Sequence, residues 1–268
     1  MKFEYVPLLQ IQRELHRLPR DFQRFETYLR TIGARGSERL ELPSLLVMNP
    51  MGKDHVAALL DQYSALDGDA IAAQAANEAA AELQEDPWDI KACLVIADDL
   101  MGGWTNRYAC EFTQRFGPDH LRCQRERPTE LPRWLSHCWI TGIVWSSEPA
   151  SAEAARTAMS AAVHRYAYAQ RHGSVRTLRD MMQQEGHVLA AANCTGPRLD
   201  ADDLEYTREV IEPFLDADDM RTAIECLFGD AAGRTLGFTP RGLSPWAGMA
   251  LALHDARAES NALREVRV

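Results

Sequence analysis

The side chains best suited to chemistry concentrate between Lys91 and Phe116. An apolar run, Ala92–Ala97, ends in the acidic pair Asp98-Asp99. A glycine pair follows at 102 and 103, then the cluster Trp104-Thr105-Asn106-Arg107-Tyr108. Paired carboxylates can act as a general base or hold a hard divalent cation through oxygen. Neighbours in an extended strand point to opposite faces, so only one of the two should face a given site. The same pair can instead cap a helix or bridge to Arg107. The glycines permit close backbone approach to a ligand. Beyond them, Trp104, Asn106, Arg107 and Tyr108 offer stacking, amide hydrogen bonds and a forked anion clamp, and Thr105 can cap the helix that follows.

Two more stretches carry reactive side chains. Asn49-Pro50-Met51-Gly52-Lys53 approximates a phosphate loop, but the first glycine is missing and Asp54 stands where Ser or Thr belongs. A glycine-lysine pair at a helix N-terminus can still hold an anion, although a plain turn with Asp54 as N-cap is the simpler reading. His55 is the proton-transfer candidate, because an unperturbed imidazole titrates near neutrality. Ser146-Ser147-Glu148 adds a further polar loop. His137-Cys138 is no nucleophile pair, because strand neighbours diverge. Neither a His-Glu-x-x-His nor a Gly-x-Ser-x-Gly pattern occurs, so the local signatures of two large hydrolase groups are absent.

Three apolar runs would position these loops: 42–48 leads into NPMGKDH, 92–97 into DDLMGGWTN, and 139–145 into SSEP. The last is β-branched and aromatic, as strands are. The middle run is apolar all round, as in a doubly buried strand. Ile90, Cys93, Leu94 and Ala97 also fit a helical stripe, in which case Pro87–Met101 would be a core helix. If all three are parallel strands, their loops share the sheet edge where open α/β folds bind ligands. Asn49, Lys53, Asp54 and His55 would then converge with Asp98, Asp99, Thr105, Asn106 and Arg107, and with Ser146, Ser147 and Glu148.

Elsewhere helical spacing dominates. Residues 1–36 read as two arginine-decorated helices broken at Pro19, and 54–66, 69–84, 105–116, 151–170 and 175–192 as further helices. Residues 200–215, 217–228 and 245–258 close the chain, with a glycine-rich loop over 229–245, and 121–124 has some strand character. The fold class is therefore helix-rich α/β, with a small, largely parallel sheet of about three to five strands and a helical C-terminal third. A predominantly α fold is the alternative. No linker divides the 268 residues, so a single domain is expected, with an N-terminal helical pair (1–36), an α/β core (37–172) and a helical C-terminal part (173–268).

A formal net charge of −10 argues against nucleic acid or an anionic membrane as the main partner. No apolar run is long enough to span a bilayer, and the N-terminus lacks the features of a secretory signal. Six cysteines without a Cys-x-x-Cys pair suggest reduced thiols in a cytoplasmic protein rather than a zinc site or disulfide framework. The expectation is a soluble enzyme that binds an anionic small molecule through Lys53 and Arg107. Asp98 or Asp99 would be general base or ligand to a divalent cation, the one cofactor these residues suggest, and His55 would move the proton. Metal-assisted hydrolysis or group transfer suits those types. A non-catalytic, mostly helical binding or assembly protein is the competing class.

Overall fold

A computed structural model describes residues 3–33, 40–81, 90–100, 106–117 and 138–265. Phe3–Tyr5 (β1), Ile90–Ala97 (β2) and Cys138–Trp145 (β3) form a parallel sheet in that order. The fold is helix-rich α/β, and the predominantly α alternative is overturned by the sheet. Two compact units divide the chain: Met1–Arg107 with Arg122–Ala167, and Tyr108–Leu121 with Tyr168–Val268.

In the first unit β2 is the central strand, and its register pairs Ile90 with Cys138 and Ala97 with Trp145. One face of the sheet, with Ala92, Leu94 and Ile96, packs on α3 (Asp54–Ala65), α4 (Gly68–Ala81) and α6 (Ala152–His172). The other face, with Cys93 and Val95, packs on α1 (Leu8–Arg17), α2 (Phe22–Ile32) and a 3-10 turn, Pro43–Val47. Burial from both sides explains why β2 is apolar without alternation. β3 alternates instead, with Ile140 and Val144 more deeply buried than Trp139 and Ile143.

The first strand differs from expectation. The run 42–48 is the 3-10 turn: Pro43 has no N–H for a ladder, and its fixed φ suits the first position of a helical turn. The strand is Phe3–Tyr5, too short to display any period. It pairs only as far as Tyr5 with Ala92, and Gln12 of α1 replaces it further on. The fully buried Gln12 amide donates to the Ile96 carbonyl and accepts the Ile96 N–H, both at 2.9 Å. Gln12 thereby satisfies the edge of β2 at Ile96, two residues before Asp98.

The second unit is built from α5 (Arg107–Phe116, from its second residue), α7 (Leu178–Ala191), α8 (Ala201–Ile211), α9 (Met220–Phe228), α10 (Asp230–Thr235) and α11 (Ala247–Glu265). Asp200 and Asp219 cap α8 and α9 with their carboxylates, and Thr177 with Asp180 forms a capping box on α7. The helix α10 lies inside the segment expected to be loop, because its flanking glycines mask it. The Asp230 carboxylate accepts N–H groups from Arg241, Gly242 and Leu243 at 2.8, 3.0 and 3.1 Å, folding that loop onto the helix. The helices α7 and α11 approach closely at Gly186, where a Cβ would lie 2.3 Å from the Ala252 carbonyl oxygen. Gly186→Ala should therefore destabilise the fold by about 1–3 kcal/mol through overpacking, read as a lower urea midpoint.

Among the described residues, no helix is long and apolar enough to cross a membrane. Among the described residues, Cys93, Cys110, Cys194 and Cys226 are free thiols. The strand character suggested at 121–124, the glycines at 102 and 103, and the Asp86-Pro87 helix start lie outside the described residues.

Candidate functional site

The ends of β2 and β3 build the site. The ladder continues one step past Ala97 and Trp145, with the Ser146 N–H donating to the Ala97 carbonyl at 2.9 Å. This places the loop after β2 beside the loop after β3. The Ser146 hydroxyl lies 2.8 Å from Asp98 Oδ1 and 3.1 Å from Asp99 Oδ1, and accepts the Asp99 N–H at 3.1 Å. Asp99 is held further by the Ser147 N–H at 2.9 Å and the Ser147 hydroxyl at 2.7 Å.

Asp98 is the buried member of the pair, with its side chain 3% exposed. Asn49 Nδ2 donates to its Oδ2 at 3.0 Å, and His55 Nε2 meets its Oδ1 at 2.8 Å. The Leu100 N–H adds a bond of 3.2 Å. Burial alone would raise this carboxyl, but the hydrogen bonds from His55, Asn49 and Ser146 outweigh it and hold it below the ordinary carboxylate range. Asp98 is thus a carboxylate at neutral pH. His55 stands at the second position of α3, with its Nε2 fixed by Asp98 and its side chain 31% exposed.

The 49–55 loop reaches Asp98 although no strand precedes it. Asn49 Oδ1 accepts the Met51 N–H and its carbonyl accepts the Gly52 N–H, both at 3.0 Å. Those amides are engaged inside the turn, so no phosphate-cradling nest forms there. Lys53, not Asp54, occupies the N-cap position; it makes no capping bond, and its side chain is exposed. Asp54 is the first helical residue, where its charge suits the helix dipole.

Arg107 is not an open anion clamp. Its guanidinium lies 3.4 Å from Asp99 Oδ2 and 3.2 Å from the Ser147 hydroxyl, and also pairs with Glu148. It stacks over Trp145, 5.1 Å from the ring centroid. Two carboxylates compensate its charge, so Arg107 ties the loop after β2 to the loop after β3. Asn106 immediately precedes α5. Tyr108 belongs to the second unit, where it packs on Phe228 and Trp246 with centroids 5.8 and 6.0 Å away. Trp104 and Thr105 lie outside the described residues.

His16 is a residue that the sequence reading passed over. It is 8% exposed, and neither ring nitrogen makes a hydrogen bond. Its ring abuts the 49–52 turn: a Cβ on Gly52 would lie 3.1 Å from His16 Cε1. Burial first, then the Arg24 guanidinium, push the imidazole down to about 4, against the opposing pull of Asp98. Arg24 itself is anchored on backbone carbonyls, at 2.9 Å to Leu18, 3.2 Å to His16 and 3.4 Å to Gly52. A signal was present in the sequence. Gln12 and His16 sit one turn apart on the helix face that also carries Leu8 and Leu15, and polar residues on a buried face call for an explanation.

Among the described residues, no group of three or more His, Cys, Asp or Glu side chains is placed to hold a metal ion. The oxygens of Asp98 and Asp99 are instead surrounded by hydrogen-bond donors from the chain, an arrangement suited to orienting an imidazole.

No family model matches the chain, and no solved structure matches it. Over 99 residues, 34% of its length, the chain is 33% identical to the uncharacterized protein YjfC of Bacillus subtilis strain 168. That match spans 33% of YjfC, so the likeness covers about a third of either protein.

Proposed function

We propose that this protein is a soluble enzyme whose proton-transfer group is His55, oriented by Asp98, acting on a small molecule that carries an anionic group. The observation that carries the reading is the 2.8 Å bond between His55 Nε2 and a buried carboxylate held in its charged form. Such a pairing fixes ring orientation and tautomer and stabilises the imidazolium that forms when the open nitrogen accepts a proton. Ser146 bonds the carboxylates rather than His55, so it serves as a positioning hydroxyl, not a nucleophile. Asn49 has the same role from the other side of Asp98. Lys53, exposed two residues before His55, supplies the positive charge for the anionic group. Hydrolysis or group transfer by general acid–base catalysis is the reaction class these parts support.

A panel of chromogenic phosphate, carboxylate and glycosyl esters tests the assignment. Wild-type protein should turn over at least one of them, and His55→Gln should lower kcat by about 10²–10⁴-fold without lowering the unfolding midpoint. Asp98→Asn should lose a comparable factor, because the amide can misorient the ring. Wild-type rates in His55→Gln would remove the imidazole from the mechanism. Complete inactivity of the wild type across the panel would favour the non-catalytic binding reading instead.

A further inference from the structure

The second unit contains a cavity of about 360 Å³ between the 197–204 segment and α11. Its volume lies in the range of small-ligand pockets, roughly 300–1,000 Å³. The floor is apolar: Leu253 of α11 is buried at 1% exposure, and Leu199 and Leu204 complete it. Arg198, His254 and Arg257 stand around the same cavity.

The partners of the two arginines set this place apart. Arg257 donates to the Cys194 carbonyl and Arg198 Nε to the Thr195 carbonyl. Carbonyls orient a guanidinium without neutralising it. Several other arginines of this unit meet carboxylates: Arg208 with Asp255 at 2.7 Å, Arg241 with Glu225 at 2.5 Å and Arg179 with Asp216 at 3.2 Å. In a chain of net charge −10, two guanidinium groups that make no ion pair among the described residues, held beside one apolar cleft, form a local positive site.

The geometry points to a binding site for a small amphipathic acid, whose short apolar chain lies against Leu199, Leu204 and Leu253 and whose anionic head engages Arg198 and Arg257. A planar guanidinium matches carboxylate and phosphate oxygens alike, so both headgroups share this chemistry. The inference does not draw on the His55 site.

Calorimetric titration of the full chain with octanoate and with octyl phosphate tests it, using octanol as the chain without charge and acetate as the charge without chain. At least one of the two acids should bind saturably, about tenfold or more tighter than octanol and acetate. The stronger of the two identifies the headgroup. Arg198→Gln and Arg257→Gln should each weaken that binding by about fivefold or more, and Leu204→Trp should block it by filling the cavity. Arg198 is exposed, so its variant keeps the test open even if loss of the Arg257 bond to Cys194 disturbs folding. Octanol binding as tightly as the acids, saturation by neither acid, or unchanged affinity in Arg198→Gln would each overturn the site.

Discussion

Arg115→Met should lower the stability of this protein by about 3–5 kcal/mol, the usual loss when one partner of a buried ion pair is removed. Arg115 joins two carboxylates that have little contact with water: the Glu111 side chain is 5% exposed and that of Glu185 is fully buried. Its guanidinium lies 2.7 Å from Glu111 Oε2 and also pairs with Glu185. Burial would depress the guanidinium, yet Glu111 and Glu185 outweigh it and hold it above its ordinary range. Gln184 joins the network, with its amide 3.1 Å from the Arg115 carbonyl and 3.2 Å from Glu185 Oε1. Without Arg115 both buried carboxylates lose this guanidinium, and part of the cost of holding their charge away from water returns. A second substitution set separates this from a simple packing loss. Arg115→Met combined with Glu111→Gln and Glu185→Met should recover most of the stability, because an apolar replacement of a whole buried network is often neutral. Urea denaturation reads both. Arg208→Met offers the contrast: its pair with Asp255 has both side chains more than a third exposed and should be worth less than about 1 kcal/mol. An Arg115→Met protein within about 1 kcal/mol of wild type would mean that water reaches Glu185.

The parts of the fold that could be read from sequence are those whose period or composition reports burial directly. β2 and β3 belong here: the first is apolar on both faces because helices cover both, and the second is β-branched and aromatic. The segments of α8 and α9 were legible from helical spacing, and Asp200 and Asp219 cap them. What was illegible depends on partners distant in the chain. Phe3–Tyr5 becomes a strand only because β2 offers it an edge, and 42–48 becomes a 3-10 turn because Pro43 begins it and Ser44 bonds Thr141 of β3 at 2.6 Å. The candidate site shows the same division. The loops after β2 and β3 meet because register places them side by side. The 49–55 loop joins them through Asn49 and His55, from a 3-10 turn rather than a strand end. The two adjacent acids look alike in sequence, yet Asp98 faces His55 and Asn49 while Asp99 faces Ser147 and Arg107. Nothing in the sequence ranks them, because the difference is made by the residues that surround each one. The surroundings of Arg107 were hidden for a related reason: composition shows a guanidinium but not the Asp99 and Glu148 carboxylates that pair with it.

Acidification provides the second large effect, and it centres on His16. Its folded pKa, about 4, lies below the ordinary imidazole value of 6.5. Between those values the unfolded chain binds a proton at His16 that the folded chain does not. Stability from this group is therefore complete above about pH 6.5, declines as pH falls towards 4, and loses nothing further below that. A depression from 6.5 to about 4 corresponds to about 3 kcal/mol at 1.36 kcal/mol per pKa unit. Asp98 works in the same direction but in another window. Its carboxyl is held below 3.8, so its contribution is present above that value and is lost only in stronger acid. His187 is the complication, since burial first, then His172 and Arg171, lower it too. The measurement that isolates His16 is a difference: unfolding free energies of wild type and His16→Leu, taken from pH 7.5 to pH 4. Leucine removes a ring whose nitrogens have no partner, so the variant should match wild type at pH 7.5. It should then decline less on acidification, leaving the fall due to His187 and opening a gap of about 3 kcal/mol by pH 4. A variant that loses stability in parallel with wild type would show that His16 is hydrated and titrates normally. In that case the imidazole beside Gly52 would be in contact with solvent rather than enclosed between Arg24 and the 49–52 turn.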